Sequence, residues 1–298
     1  MNSRRVRWLI AVAATALGTL SHEARAQDSL RVLSDTTRVQ VLRLSDGSVV
    51  VGRVIDVRGD SAVVRTQVGQ LTIARSAVRG VRVRPADSMR GGEYWPEDPN
   101  ETRHFFAPNA RMLERGSGYF CDIWLFLLCL TGGLTDRITF GGGMSVVPGI
   151  DIADNVFYLT PKIGLVASEK VQVAVGAFAG WSGAVTDDAS SFGILYGVST
   201  VGSADQNVSL GLGYAYFNDE IANRPLVLGG VKLRLSRGTA FVSENYILPE
   251  AEGGIISFGL RFFGERISGD VGLVRFVGKD DSDQGIGVPF LGLAVKIR

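Results

Sequence analysis

From residue 103 to the C-terminus, glycine-rich segments of alternating polarity are joined by connections that are short and long in strict turn. The short ones are Thr135-Asp136, Ser168-Glu169-Lys170, Ala204-Asp205-Gln206, Ser236-Arg237-Gly238 and Gly264-Glu265-Arg266. The long, more polar ones cover 148–155, 182–191, 218–224, 248–254 and 278–288. A closed antiparallel barrel crossing a membrane has this rhythm, because its tight turns lie on one side and its long loops on the other.

The segments between the turns have a period of two, the repeat of a strand with unlike faces. Val208, Leu210, Leu212, Tyr214 and Tyr216 alternate with Asn207, Ser209, Gly211, Gly213 and Ala215. Val231, Leu233 and Leu235 alternate with Lys232, Arg234 and Ser236, and Leu291, Leu293, Val295 and Ile297 with Gly292, Ala294 and Lys296. Val171 to Trp181 and Ser257 to Phe262 repeat the pattern. A soluble sandwich also alternates, but its outer face should be charged rather than glycine-rich.

The turns divide residues 119–298 into eleven strands, the first over 119–133. An even count is expected of a bacterial single-chain barrel, and 104–113 supplies a twelfth strand, although Pro108 suits a central strand poorly. Ten strands with an irregular start is the alternative. Twelve strands put both chain ends on the short-turn, periplasmic side. Tyr119, Phe157, Tyr158, Trp181, Phe192, Tyr216, Phe217, Tyr246, Phe263 and Phe276 lie near strand ends, where aromatic girdles are expected.

Arg4, Arg5 and Arg7 precede an apolar run from Trp8 to Leu20, and Ala24-Arg25-Ala26 offers a small-x-small cleavage site. Residues 1–26 therefore read as a secretory signal peptide, the run being short of the roughly 20 apolar residues of a spanning helix. Their removal takes away four arginines and one glutamate, leaving a near-neutral chain with no push toward nucleic acid. Cys121 and Cys129, eight residues apart on one expected strand, would be beyond disulfide reach and read as small apolar fillers. The histidines are His22, in the signal, and His104.

After an N-terminal segment, 27–37, residues 38–84 change texture to short Val-rich strands punctuated at Ser45-Asp46-Gly47, Arg58-Gly59-Asp60 and Val68-Gly69-Gln70, of which Asp46-Gly47 and Gly59-Asp60 are hairpin signals. The pattern resembles a small SH3-like or Sm-like barrel. Its arginines, Arg53, Arg58, Arg65, Arg75, Arg79, Arg82 and Arg84, form a solvated basic surface or meet a periplasmic protein or cell-wall partner. Residues 85–102, with Trp95-Pro96-Glu97-Asp98, read as a linker, and 103–298 as the barrel.

The alternation directs Lys162, Gln172, Lys232, Arg234, Glu244, Arg261, Asp270 and Lys296 into the lumen. Five are cationic and two anionic. An interior filled by ion pairs and a narrow anion-preferring channel both follow from such a lining. Glu244 is the expected buried partner of Arg234 and Arg261. Catalysis is not expected: His104 has no evident partner, and a serine nucleophile needs a neighbouring base. Asp187-Asp188 and Asp280-Asp281, in expected external loops, suit solvated positions or divalent cations that bridge lipopolysaccharide. No cofactor or metal site is indicated.

The run Phe105-Phe106-Ala107-Pro108-Asn109-Ala110 through Leu113, Gly116 and Gly118-Tyr119, followed by Gly133-Leu134-Thr135-Asp136-Arg137-Ile138, resembles uncharacterised outer-membrane proteins of Gram-negative bacteria, with Bacteroidetes-like examples. Thr160-Pro161-Lys162, Ser243-Glu244-Asn245 and Gly259-Leu260-Arg261-Phe262-Phe263 look like the same group. The resemblance implies an all-β outer-membrane barrel inserted by the barrel assembly machinery, among outer-membrane lipid and lipopolysaccharide. It implies no activity. Many such barrels end in an aromatic residue, whereas this chain ends Lys296-Ile297-Arg298.

Overall fold

The computed structural model describes residues 30–297 except 92, 183–189, 219 and 279–286. The signal peptide, Asp187-Asp188 and Asp280-Asp281 fall outside the described residues. The chain divides into two compact units at Trp95/Pro96.

The first unit is an open five-stranded antiparallel sheet in the order β4-β3-β2-β1-β5, made of β1 (Arg38–Leu44), β2 (Val49–Arg58), β3 (Ser61–Thr66), β4 (Gly69–Ala74) and β5 (Val78–Pro85). Its hairpins turn where the glycines predicted: Gly47, Gly59 and Gly69 all have positive φ. At the first turn the Ser48 hydroxyl and amide donate to Asp46 and hold its carboxyl below the usual range. The core is Leu30, Leu42, Val54, Ala62, Val64, Ile73 and Val78. One polar side chain enters it. Gln40 accepts from the Val54 amide at 2.9 Å and donates to the Arg31 carbonyl at 3.0 Å, which satisfies both ends of its amide. The expectation of a small barrel is met as far as five antiparallel strands. A two-residue pair, β6 (Met89–Arg90) and β7 (Glu93–Tyr94), follows.

The second unit is a closed antiparallel barrel with twelve strands around its wall. They are β8 (Gly118–Ile123), β9 (Leu127–Thr135), β10 (Ile138–Ser145), an interrupted strand formed by β11 (Phe157–Leu159) and β12 (Lys162–Ala167), β13 (Val171–Ser182), β14 (Ser190–Gly202), β15 (Gln206–Phe217), β17 (Leu226–Ser236), β18 (Thr239–Leu248), β19 (Gly253–Phe263), β20 (Ile267–Gly278) and β21 (Val288–Lys296). The interruption at Thr160-Pro161 fits a residue that cannot donate to the ladder. A two-residue strand, β16 (Glu220–Ile221), pairs with β15. β21 closes the wall on β8, from Gly292↔Ile123 to Lys296↔Tyr119. The Ile297 amide donates to the Gly118 carbonyl, so the wall begins and ends at the short-turn rim.

The alternation read from sequence sets the faces. Leu210 is 60% exposed and Phe258 51% exposed on the outside, whereas Ser209 and Ser257 are buried inside. Large outward side chains on strand after strand make a contiguous apolar band far beyond what a water-soluble monomer exposes. It matches the lipid-facing band of a membrane barrel.

Three expectations are corrected. The stretch 119–133 is not one strand but a tight hairpin, β8–β9, turning through Trp124, Leu125 and Phe126. Trp124 and Leu125 carry positive φ, a conformation bulky residues rarely adopt. Here the Trp124 indole donates to the Pro289 carbonyl at 2.8 Å and its ring packs on Phe290. The hairpin also overturns the reading of the cysteines: Cys121 and Cys129 are directly opposed across it, Cα atoms 4.9 Å apart, and form a disulfide.

The second correction concerns 104–113. It is not a wall strand; the splitting of 119–133 supplies the twelfth. Residues 96–117, including 96–102 of the expected linker, fold into the barrel. Asp98, Asn100, Thr102, His104, Phe105, Asn109 and Ala110 are all buried there. Thirdly, Tyr119, Tyr158 and Phe263, assigned to the girdles, are buried in the interior, while Phe217 and Phe276 are exposed.

Candidate functional site

The lumen is built by two partners: the inward faces of the wall strands and the inserted segment 96–117. A polar group buried between them needs a partner on the wall or on the segment.

At the short-turn rim, Arg234 donates to Asp205 at 2.8 Å and to the Pro96 carbonyl at 2.9 Å, and its guanidinium lies over Phe263. Lys296 meets Glu97 at 3.3 Å. Gln172 turns back to its own hairpin and donates to the Ser168 carbonyl at 2.6 Å.

Deeper in, Asp98 bridges two wall cations. Its Oδ2 is 2.5 Å from Lys232 Nζ and 3.1 Å from Arg261 Nη1, and its Oδ1 accepts from the Asn100 amide. Arg261, with no exposed surface, holds Asp270 through both Nε and Nη2, at 2.6 and 3.0 Å. Its remaining donors go to main-chain carbonyls of the inserted segment: Nη1 to Asn100 at 2.7 Å and Arg103 at 3.2 Å, and Nη2 to His104. A fork of five donors on a rigid plane is suited to gripping a chain in this way.

At the tip, Glu244 Oε2 accepts from the amides of Phe105, Phe106 and Ala107 at 2.8, 2.9 and 2.9 Å, and Oε1 accepts from Tyr246 at 2.7 Å. The expected pairing of Glu244 with arginine is thus replaced by a carboxylate seated in a nest of main-chain amides. Such hydrogen bonds satisfy a buried charge as an ion pair would. On the opposite wall, Lys162 donates to the Arg111, Asn109 and Thr102 carbonyls. Thr200 accepts from the Ala110 amide at 2.8 Å, and Thr139 from the Leu113 amide at 3.2 Å.

His104 does have a partner. Its Nε2 is 3.0 Å from Ser209 Oγ, which is 2.8 Å from Thr200 Oγ1. The close approach needs the absence of a side chain at Gly230, where a Cβ would stand 2.3 Å from the imidazole. The pair is a serine next to a base, but Nδ1 of His104 has no acceptor to orient it, and both residues are sealed. Among the described residues no group of three His, Cys, Asp or Glu side chains is disposed to hold a metal ion.

All eight residues directed into the lumen from sequence sit on inward faces or at the inner rim. Those the sequence reading missed are mostly on the inserted segment, Glu97, Asp98, Asn100, Thr102, Arg103 and Asn109, with Thr139, Thr200, Asp205 and Tyr246 on the wall. The signal was charge imbalance. Five cations against two anions in an enclosed space demand carboxylates from elsewhere, and Glu97, Asp98 and Glu101 stand just before the barrel. Beside the tip, the lumen keeps a cavity of about 130 Å³ that reaches from Thr139 and Lys162 to Tyr158, Phe178 and Leu226.

No family model matches the chain, and no curated protein matches it. Solved structures similar to it include OmpT of Vibrio cholerae, at 12% identity and a TM-score of 0.31, covering 89% of this chain and 100% of that one. A loop L8 deletion mutant of that protein has 11% identity and a TM-score of 0.31, covering 87% and 96%. A structure described under asymmetric conductivity of engineered proteins has 11% identity and a TM-score of 0.32, covering 87% and 97%. At those scores the architecture rests on the strand pairing of this chain itself.

Proposed function

We propose that this chain is a non-catalytic outer-membrane barrel, closed by its own inserted segment, with a structural role in the cell envelope. The observation that carries this reading is the grip of Arg261 on residues 98–104, reinforced by Asp98–Lys232 and by Glu244 at the tip. Together these join the segment to several strands of the wall.

The short turns and both chain ends face the periplasm in this reading, where the five-stranded unit stands. Its strand order, and the short 3-10 turn at Arg75–Ala77 between β4 and β5, support its description as a small SH3-like module. Its arginine-rich surface suits a cell-wall or periplasmic protein partner. Outer-membrane lipid and lipopolysaccharide surround the apolar band, and the barrel assembly machinery inserts it. The sealed His104–Ser209 pair, without an orienting acceptor, favours a structural over a catalytic role.

Planar bilayer recording tests the closure. The refolded chain should insert without discrete current steps, and a variant lacking residues 97–116 should conduct. Ion-selective steps from the intact chain would overturn the closed reading and favour a narrow pore.

A further inference from the structure

The cavity beside the inserted segment is largely apolar. Phe106, Tyr158, Phe178, Tyr196 and Leu228 make up much of its wall, Thr139 and Lys162 reach it from the lumen described above, and among the described residues no carboxylate lines it. The aromatic rings form one side: Phe178 stacks on Tyr158 at 5.2 Å and meets Phe106 at 5.7 Å. Three of the lining tyrosine hydroxyls have partners of their own: Tyr119 meets Thr102, Tyr158 donates to the Leu128 carbonyl and Tyr246 to Glu244. Phe106 lies inside a barrel yet keeps 37% of its surface bare. An apolar cavity of about 150 Å³ accepts a benzene-sized body, so about 130 Å³ with an open side takes a ring or a short chain.

Two cations line this space, Lys162 and Arg103; Lys162 donates to three main-chain carbonyls, whereas Arg103 has donors left over. Arg103 is 7% exposed and lines the cavity. Its Nε donates to Asn100 at 2.6 Å, but among the described residues Nη1 has the Cys129 sulfur at 4.0 Å for a partner and Nη2 has none. Tyr119 backs the guanidinium at 5.7 Å. Every other buried arginine or lysine described above meets a carboxylate or several carbonyls. An unpaired buried cation is costly, and here its free edge is the Nη1–Nη2 pair, the edge that takes a carboxylate in two parallel hydrogen bonds.

We propose that this cavity is a binding site for small amphipathic carboxylates, aryl or short-chain acids, whose acid group pairs with Arg103 and whose apolar body lies against Phe106, Phe178 and Tyr196. This goes beyond closure: the barrel would hold a ligand in the space left beside the inserted segment. Specificity follows from the chemistry. The acid should outcompete its uncharged amide, since the amide leaves Arg103 only half satisfied.

The test is calorimetric titration of the refolded full chain in detergent micelles with benzoate and hexanoate, against benzamide and hexanamide. The acids should bind at least tenfold more tightly than the amides. Arg103→Gln should bring that ratio to near one, while Leu228→Trp, which fills the cavity and leaves Arg103 in place, should abolish binding of both. Equal affinity for acid and amide in the parent chain, or an acid preference that survives Arg103→Gln, would overturn the proposal. If Arg103→Gln does not fold, retained acid binding in Leu228→Trp overturns it as well. Binding in micelles is read without any current, so this site and the closed-barrel reading fail separately.

Discussion

The carboxylate of Glu244 and the main-chain amide of Phe106 are 2.9 Å apart, at the centre of three consecutive amides that converge on one oxygen. A wall residue therefore fixes the backbone conformation of the inserted tip rather than its side chains. Glu244→Gln keeps an acceptor but loses the charge that strengthens all three bonds. It should lower stability by about 2 kcal/mol, the scale of a charge-assisted hydrogen bond, seen as a lower midpoint of thermal unfolding in micelles. An unchanged midpoint would show that the nest does not hold the tip.

Asp98 neutralises two cations at once, so its removal should be felt more than its own size suggests. Asp98→Asn leaves Lys232 buried and unpaired, at a cost of about 3–5 kcal/mol. Adding Lys232→Met to it removes the orphaned charge, while Arg261 keeps Asp270. The double variant should thus be more stable than Asp98→Asn alone, and a double-mutant cycle measures the difference.

Two adjacent glycines give a paired steric test. A Cβ at Gly230 would collide with His104, whereas one at Gly229 meets nothing within 4 Å. Gly230→Ala should cost about 1–3 kcal/mol, the range for overpacking, and Gly229→Ala should leave the unfolding midpoint nearly unchanged. Similar losses from both would show that strand flexibility, not the imidazole, explains the glycine.

The Cys121–Cys129 disulfide ties the first hairpin across a separation of eight residues. Unreduced protein unfolded in guanidinium should expose no thiol to a maleimide, and two after reduction. Replacing both cysteines by serine should cost no more than about 2–3 kcal/mol, because the loop closed is short. A free thiol in the oxidised protein would contradict the pairing.

The wall was legible because a period of two survives any membrane or solvent: Asn207, Ser209 and Gly211 face inward whether or not one knows what fills the barrel. The first hairpin was not, because its turn is Trp124-Leu125-Phe126. A bulky apolar tripeptide carries none of the glycine, asparagine or proline chemistry by which turns are found, and its support comes from Pro289 and Phe290, more than 160 positions away. The cysteine pairing was lost with it. The inserted segment was misread for a related reason. Residues 96–113 have no period, since their side chains face all round the lumen; Pro96 and Pro99 look like linker punctuation, and 104–113 passes for a strand in spite of Pro108. What makes that stretch ordered is the set of cationic and carboxylate partners on β17, β18, β19 and β20, each found only after the wall has closed.

The inserted segment passes in near Arg234 and leaves beside Gly133, where the Gly116 amide donates to the wall. Both crossings are at the same mouth. The segment is therefore a tongue, not a thread: it can be withdrawn toward its own end without a single wall strand being unpaired. A pull on the chain ahead of Pro96 would load the Asp98, Arg261 and Glu244 contacts in succession and leave the staves untouched. In mechanical terms the stopper and the cask are separate failures.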